Sequence, residues 1–186
     1  ADKVKVEKFS IFFDVVLKKK KLGRFHANLL GSHHIENILP GIYLAHHFGI
    51  PIRLIKKGVQ KISPWKKTME PFKSMTGSIL IDDTFNASMG ATLAAINYMK
   101  IYPGKKILVL QPFIELGGNA SIDHRKVGER IGGSCDFLFL TNINYYHEIL
   151  DGIHNSTNKC EVLVAQVDDI VAFVESNTTI SDVVVF

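Results

Sequence analysis

Two adjacent carboxylates, Asp82 and Asp83, follow a short apolar segment, Ile79–Ile81, whose side chains are typical of a buried parallel strand. A polar turn comes next, and Ser88 is placed to cap the helix that the following residues predict. Polar side chains between the carboxyl end of a parallel strand and a helix start are where α/β sheets bind ligands. The segment therefore predicts a binding site. It also fits an ordinary strand–turn–helix crossover with solvated carboxylates.

A second group of polar side chains lies in residues 31–49, with the sequence GSHHIENILPGIYLAHHFG. The pattern predicts a helix that is capped by Ser32 and is kinked or divided at Pro40. His33 and Asn37 lie near its first turn, where side chains can reach a ligand. Adjacent histidines are expected to point to different sides of a helix, and no i, i+4 pair or acidic cluster completes a metal site. We therefore expect no metal here.

Composition excludes several classes of function. The 186 residues carry a net charge of +4, which suits an anionic ligand such as a nucleotide but is too weak to indicate nucleic-acid binding. No apolar run is long enough to span a bilayer and no signal peptide is recognisable, so we expect a cytoplasmic protein without membrane contact. The sequence contains no GxxxxGK[ST] or GxGxxG loop and no recognisable Ser/His/Asp or Cys/His nucleophile.

The periodicity predicts an α/β fold with a Rossmann-like, doubly wound parallel sheet in the second part of the chain. A hairpin over Phe9–Leu17 and Arg24–Leu30 comes first, and a domain boundary is expected near Lys61–Lys67, which gives domains 1–61 and 62–186. Helices are expected from near Ser88, Ser121, Asn144 and Asp168. The chain ends on an apolar strand, and we expect the native chain to continue. The predicted parallel strands are Ser78–Asp82, Lys106–Leu110, Phe137–Thr141, Glu161–Ala165 and Val183–Phe186.

Three blocks of sequence together resemble the Mur ligase family. GSHHIENIL is similar to the family pattern GxHNxxNxL, and LIDDTFNAS is similar to LIDDSYNANP. The third block, LVLQPFIELGGNASIDHRKVG, is similar to a strand that ends in LG-D-M-x-ELG and is followed by S-x-x-HR-x-G. The blocks have the order and spacing of the family and cover nearly the whole chain.

The resemblance implies the C-terminal part of an ATP-dependent amide ligase that activates a carboxylate as an acyl phosphate. It implies D-alanyl-D-alanine as the incoming amine and a UDP-linked muramoyl peptide as the acceptor, in peptidoglycan synthesis. The chain would comprise the tail of the central ATP-binding domain, to about Lys61, and the whole C-terminal domain. The P-loop, most ligands of Mg²⁺ and the N-terminal domain would precede Ala1, so the chain alone should be inactive.

The resemblance also implies roles for residues on the nucleotide side. His33 and Asn37 would hold the adenine side of ATP, and Asp83 and Asn86 would face the nucleotide from the C-terminal domain.

A further group would lie on the side of the incoming amine or would brace its loop: Glu115, His124 and Arg125. For the last two, a helix start that pairs only with its neighbours is the favoured alternative.

The chain departs from the family patterns at several positions. His34 stands where the family has asparagine, and Gln111-Pro112 stands where it has Gly-Asp. Two other readings therefore stay open. One is a ligase of the same architecture with another amine, such as a folylpolyglutamate synthase-like enzyme, and the other is a non-catalytic nucleotide-binding module.

Overall fold

The computed structural model describes residues 1–85, 87–114, 116–156 and 160–186. They form two compact units, Ala1–Trp65 and Lys66–Phe186. Within the described residues, no helix has both the length and the apolar character needed to cross a membrane. The assignment of the first unit to an ATP-binding domain remains a proposal.

The first unit contains a three-stranded antiparallel sheet and two helices. Its elements are β1 (Asp2–Glu7), β2 (Ser10–Leu17), β3 (Lys20–Ala27), α1 (His34–His47) and α2 (Ile52–Gln60). The strands have the order β1-β2-β3, and both helices pack their apolar side chains into a common core with β2 and β3. The predicted hairpin is therefore present, joined by two lysines with positive φ.

Two details of the first unit differ from the sequence predictions. Ser32 does not cap α1, since the residue before this helix is His33 and no side chain caps it. Pro40 does not divide the helix, which continues to His47. The missed strand β1 alternates lysine and valine and is mostly exposed, so it lacks the apolar content that identifies a strand.

The second unit is a six-stranded sheet with the strand order β4-β5-β9-β6-β7-β8. The five predicted strands are parallel, and the edge strand β4 is antiparallel to β5. The helices are α3 (Met89–Met99), α4 (Ala120–Gly132), α5 (Tyr146–His154) and α6 (Val167–Asn177). The strands are β4 (Glu70–Lys73), β5 (Ile79–Asp82), β6 (Lys106–Leu110), β7 (Phe137–Leu140), β8 (Glu161–Val164) and β9 (Val183–Val185).

Both faces of this sheet are covered. Helix α6 packs on one face, where Ile170 and Val174 contact a cluster that includes Val184. Successive strand residues point to opposite faces, and the neighbours Val183 and Val185 are buried as well. The prediction of a doubly wound α/β sheet is therefore confirmed.

Helices α4 and α5 approach closely through glycines. A Cβ atom on Gly128 would collide with the carbonyl oxygen of Ile149, and one on Gly152 would collide with the carbonyl oxygen of Arg125. Only glycine lets the two backbones lie this close together. The helix pair therefore has a fixed separation.

Replacing Gly128 by alanine tests this close packing. Gly128→Ala should lower the free energy of unfolding by about 1–3 kcal/mol, because the added methyl group pushes α5 away. Gly90→Ala in α3 is the matched control, since no atom lies within 4 Å of the added Cβ. Urea unfolding of both variants measures the difference. Equal or greater stability of Gly128→Ala than of the native chain would contradict the packing.

Candidate functional site

A cleft of about 870 Å³ lies within the second unit, at the carboxyl ends of the parallel strands. Asp83 and Thr84 line it after β5, Gln111 and Phe113 after β6, and Thr141 after β7. Each residue follows a parallel strand directly or within a few positions, and these strand ends meet at the same edge of the sheet. The remaining wall is largely apolar and comes from α3, α6 and the strands of the sheet, and it extends to Lys73, Ser74 and Met75 at the end of β4. The cleft therefore has the character of a small-molecule site, apolar with a few polar groups.

Asp83 is a partly buried carboxylate in this cleft. Its Oδ1 accepts a hydrogen bond of 3.0 Å from the backbone N–H of Met69. Burial raises the pKa of the Asp83 carboxyl, and the neighbouring charge of Asp82 adds to this, while the bond from Met69 opposes it. A carboxylate held this way can accept hydrogen bonds from hydroxyl or amine groups of a ligand.

The neighbouring carboxylate has a different role. Asp82 Oδ1 accepts hydrogen bonds from the backbone N–H of Thr84 at 3.1 Å and from its hydroxyl at 2.6 Å. These bonds close the turn after β5. Of the two adjacent carboxylates, only Asp83 is among the residues that line the cleft.

The helix that follows this turn begins as predicted. Ser88 Oγ accepts a hydrogen bond of 3.2 Å from the backbone N–H of Ala91, which confirms its capping of α3. Asn86 and Glu115, which the resemblance assigned to the nucleotide and to the substrate-side loop, lie outside the described residues.

His124 and Arg125 lie at the start of α4, and neither is among the residues that line the cleft. The ring of His124 is 0 % exposed, and its nitrogens bond to Phe113 N–H and to the carbonyl oxygen of Ala120. Arg125 is exposed and lies 3.4 Å from a carboxylate oxygen of Asp151. An ion pair of this kind adds little to stability.

The residues proposed for the adenine side lie in the first unit. Asn37 is exposed on α1, and His33 directly precedes this helix. The rings of His33 and His34 pack against each other, with centroids 4.0 Å apart. The expectation that adjacent histidines point to different sides is therefore wrong here, because His33 precedes the first helical residue.

This histidine pair favours the uncharged state. Burial lowers the pKa of His33, with partial opposition from Glu36. Burial and the neighbouring His33 lower the pKa of His34 to about 4. Its Nε2 is buried and has no hydrogen-bond partner among the described residues. Those residues also include no group of three or more His, Cys, Asp or Glu that could hold a metal ion.

Most residues that line the cleft were not predicted from the sequence, and three of them are informative. Phe85 is 69 % exposed and lies two residues after Asp83. It is the one large apolar side chain in a polar turn, and this contrast could have identified it from the sequence as a residue of the site. Phe113 lines the cleft after β6. The Thr141 hydroxyl is buried without a partner in the part of the chain that the structure describes. No local pattern distinguishes this threonine from an ordinary strand end.

Comparisons with known proteins show which ligases this chain is similar to. UDP-N-acetylmuramoyl-tripeptide–D-alanyl-D-alanine ligase from Haemophilus influenzae is 34 % identical over 102 residues, which are 55 % of this chain and 22 % of that protein. The same ligase from Escherichia coli is 31 % identical over 101 residues, 54 % of this chain and 22 % of that protein. The chain thus spans less than a quarter of the length of these relatives. No protein-family model matches it.

Solved structures share the fold. The MurF ligase from Thermotoga maritima, in complex with ADP, superposes with a TM-score of 0.80 and 18 % identity over 100 % of this chain and 41 % of that one. MurF from Acinetobacter baumannii gives a TM-score of 0.80 and 19 % identity over 99 % of this chain and 40 % of that one. In sequence and in fold, the chain is similar to Mur ligases. The two sequence relatives given above are D-alanyl-D-alanine ligases.

Removing the Thr141 hydroxyl tests whether it is free for a ligand. Thr141→Val keeps the shape of the side chain, so it should leave the free energy of unfolding unchanged or raise it by about 1 kcal/mol, because a buried hydroxyl without a partner is unfavourable. Thr141→Ser, which keeps the hydroxyl, is the control. Thermal unfolding measures both variants. A loss of more than about 1 kcal/mol in Thr141→Val would show that the hydroxyl already has a partner.

Proposed function

We propose that this chain is the C-terminal part of an ATP-dependent carbon–nitrogen ligase that adds D-alanyl-D-alanine to a UDP-linked muramoyl peptide in peptidoglycan synthesis. The observation that carries the proposal is the 34 % identity over 102 residues to a ligase of that name. The proposal implies that the protein acts in the cytoplasm and that N-terminal and central domains complete it. The chain alone would then be inactive, because its sequence contains no P-loop.

The cleft of the second unit fits a small amine substrate. The wall that α3 and the turn before it contribute includes Ala87, Ala91 and Ala95, whose small side chains leave room for methyl groups. Asp83 and Thr141 add polar groups that can orient an amine or a peptide group. A largely apolar wall also excludes water, which would otherwise hydrolyse an activated carboxyl group.

Four residues are assigned to particular parts of a nucleotide. We assign His33 and Asn37 to the adenine side, and Asp83 and Asn86 to the nucleotide from the C-terminal domain. A carboxylate repels phosphates, so Asp83 suits ribose hydroxyls or amino groups. When bound, ATP supplies the phosphoryl group that activates the acceptor carboxylate. We expect the ligands of Mg²⁺ mainly outside this chain, since the described residues hold no suitable cluster.

The substrate-side assignment extends to three residues after β6. Glu115, His124 and Arg125 belong to the segment that links this strand to α4 and to the start of that helix. Of these, we propose contact with the amine only for Glu115, because the His124 ring is fully buried with both nitrogens bonded and Arg125 lies outside the cleft, beside Asp151.

The role of Asp83 is tested in the full-length polypeptide. Asp83→Asn should slow ADP formation that depends on D-alanyl-D-alanine by about tenfold or more, because hydrogen bonds to charged groups contribute about 1.5–3 kcal/mol. The amide oxygen still accepts the Met69 N–H, so the unfolding midpoint should not fall. Glu129→Gln, an equal charge change at an exposed site of α4, is the control. An unchanged rate in Asp83→Asn would remove this residue from the site.

A Mur-type ligase with another amine is the second candidate. UDP-N-acetylmuramoylalanine–D-glutamate ligase from Francisella philomiragia is 28 % identical over 131 residues, 70 % of this chain and 30 % of that protein.

A panel of amines separates the two candidates. ADP formation by the full-length polypeptide should depend on D-alanyl-D-alanine and be absent with D-glutamate or L-alanine. Turnover with D-glutamate alone would favour the second candidate and would overturn the first.

A further inference from the structure

His124 is a fully buried histidine whose two ring nitrogens have fixed roles. Its Nε2 lies 3.0 Å from the backbone nitrogen of Phe113, and its Nδ1 lies 2.7 Å from the carbonyl oxygen of Ala120. A backbone N–H can only donate, so Nε2 is the acceptor and carries no proton. The proton is therefore on Nδ1, which donates to Ala120. Both bonds require the neutral Nδ1–H tautomer.

The His124 ring also contacts the loop that follows β7. Tyr145 stacks on His124, with ring centroids 4.0 Å apart and planes 9° apart. Tyr145 has a left-handed backbone, with φ 55° and ψ 19°, directly before α5 begins. A non-glycine residue in this conformation needs its surroundings to hold it there. His124 thus contacts one residue in each of the loops that follow β6 and β7.

Both of these loops form part of the cleft. Phe113, which donates to His124, lines it and is itself only 4 % exposed. Thr141, four residues before Tyr145, lines it from the other loop. His124 belongs to α4, and this helix is fixed against α5 because Gly128 and Gly152 let the two backbones pack closely. A single buried ring therefore joins two loops of the cleft to a fixed helix pair.

We propose that His124 is a positioning residue that holds these two loops in the conformation that binds the amine substrate. The part of this inference that concerns the amine rests on the proposed function. His124 does not contact the substrate, and its influence passes through the Phe113 backbone and the Tyr145 ring. If the Nε2 acceptor of His124 is removed, the buried N–H of Phe113 has no acceptor there. The loop after β6 must then move so that water can bond to this N–H.

Two substitutions separate hydrogen bonding from packing. His124→Phe keeps an aromatic ring against Tyr145 but removes both hydrogen bonds, and His124→Gln offers one donor and one acceptor in their place. His154→Phe, at an exposed histidine of α5, is the matched control. The measurements use the full-length polypeptide: ¹⁵N shifts of the His124 ring, hydrogen exchange of the Phe113 amide, and calorimetric affinity for D-alanyl-D-alanine.

The native protein should show the shift pattern of the Nδ1–H tautomer and a protected Phe113 amide. In His124→Phe, that amide should exchange at least about tenfold faster and the affinity should fall by about tenfold, which is the scale expected for an unpaired buried donor. His124→Gln should recover most of both losses, and His154→Phe should change neither.

Three results would overturn the inference. The Nε2–H tautomer in the native protein would contradict the bond from Phe113. Unchanged exchange in His124→Phe would show that His124 does not hold the loop. Faster exchange with unchanged affinity would make His124 a structural residue only. If the native protein does not bind D-alanyl-D-alanine, the proposed function fails, and the role of His124 in amine binding is overturned with it. Hydrogen exchange of the Phe113 amide then decides by itself whether His124 holds the loop.

Discussion

The central position of β9 is the constraint on which the cleft depends. This strand pairs with β5 on one side and β6 on the other, although about a hundred residues separate it from β5 in the sequence. Phe186, just after it, donates its N–H to the carbonyl oxygen of Ile81 at 3.0 Å and accepts the N–H of Asp83 at 2.6 Å. The backbone of Asp83 is therefore fixed by the end of a distant strand. Without β9, the ends of β5 and β6 would not be held on either side of one cleft.

The local elements could be predicted because their signals are local. The parallel strands of the second unit follow from short apolar runs, and the start of α3 follows from a serine whose hydroxyl accepts a backbone N–H. The lysine-rich hairpin turn is also a local feature, since two positive φ angles at Lys18 and Lys19 match the twist of the strands. These elements depend on residues that are close in the sequence, and a single chain shows them directly.

The arrangement of the site could not be predicted in the same way. No local pattern distinguishes Asp82, which closes a turn, from Asp83, which lines the cleft, and only the resemblance to Mur ligases singled out Asp83. The burial of His124 depends on a loop and a helix that meet it only after folding. The close packing of His33 on His34 depends on where α1 begins, and the position of β9 depends on pairing across the sheet. Most of these features depend on contacts between residues that are distant in the sequence, and a local sequence pattern carries no information about such contacts.

Mapping of ligand contacts by NMR tests whether the strand ends of the second unit form the binding site. Amide chemical shifts would be followed while D-alanyl-D-alanine and then ATP are added to this chain. We expect saturable shifts at Asp83, Thr84 and Thr141 with the dipeptide, and shifts at His33, Asn37 and Asp83 with ATP. Saturable dipeptide shifts confined to residues outside the cleft, or no shift at the strand ends at millimolar dipeptide, would contradict it.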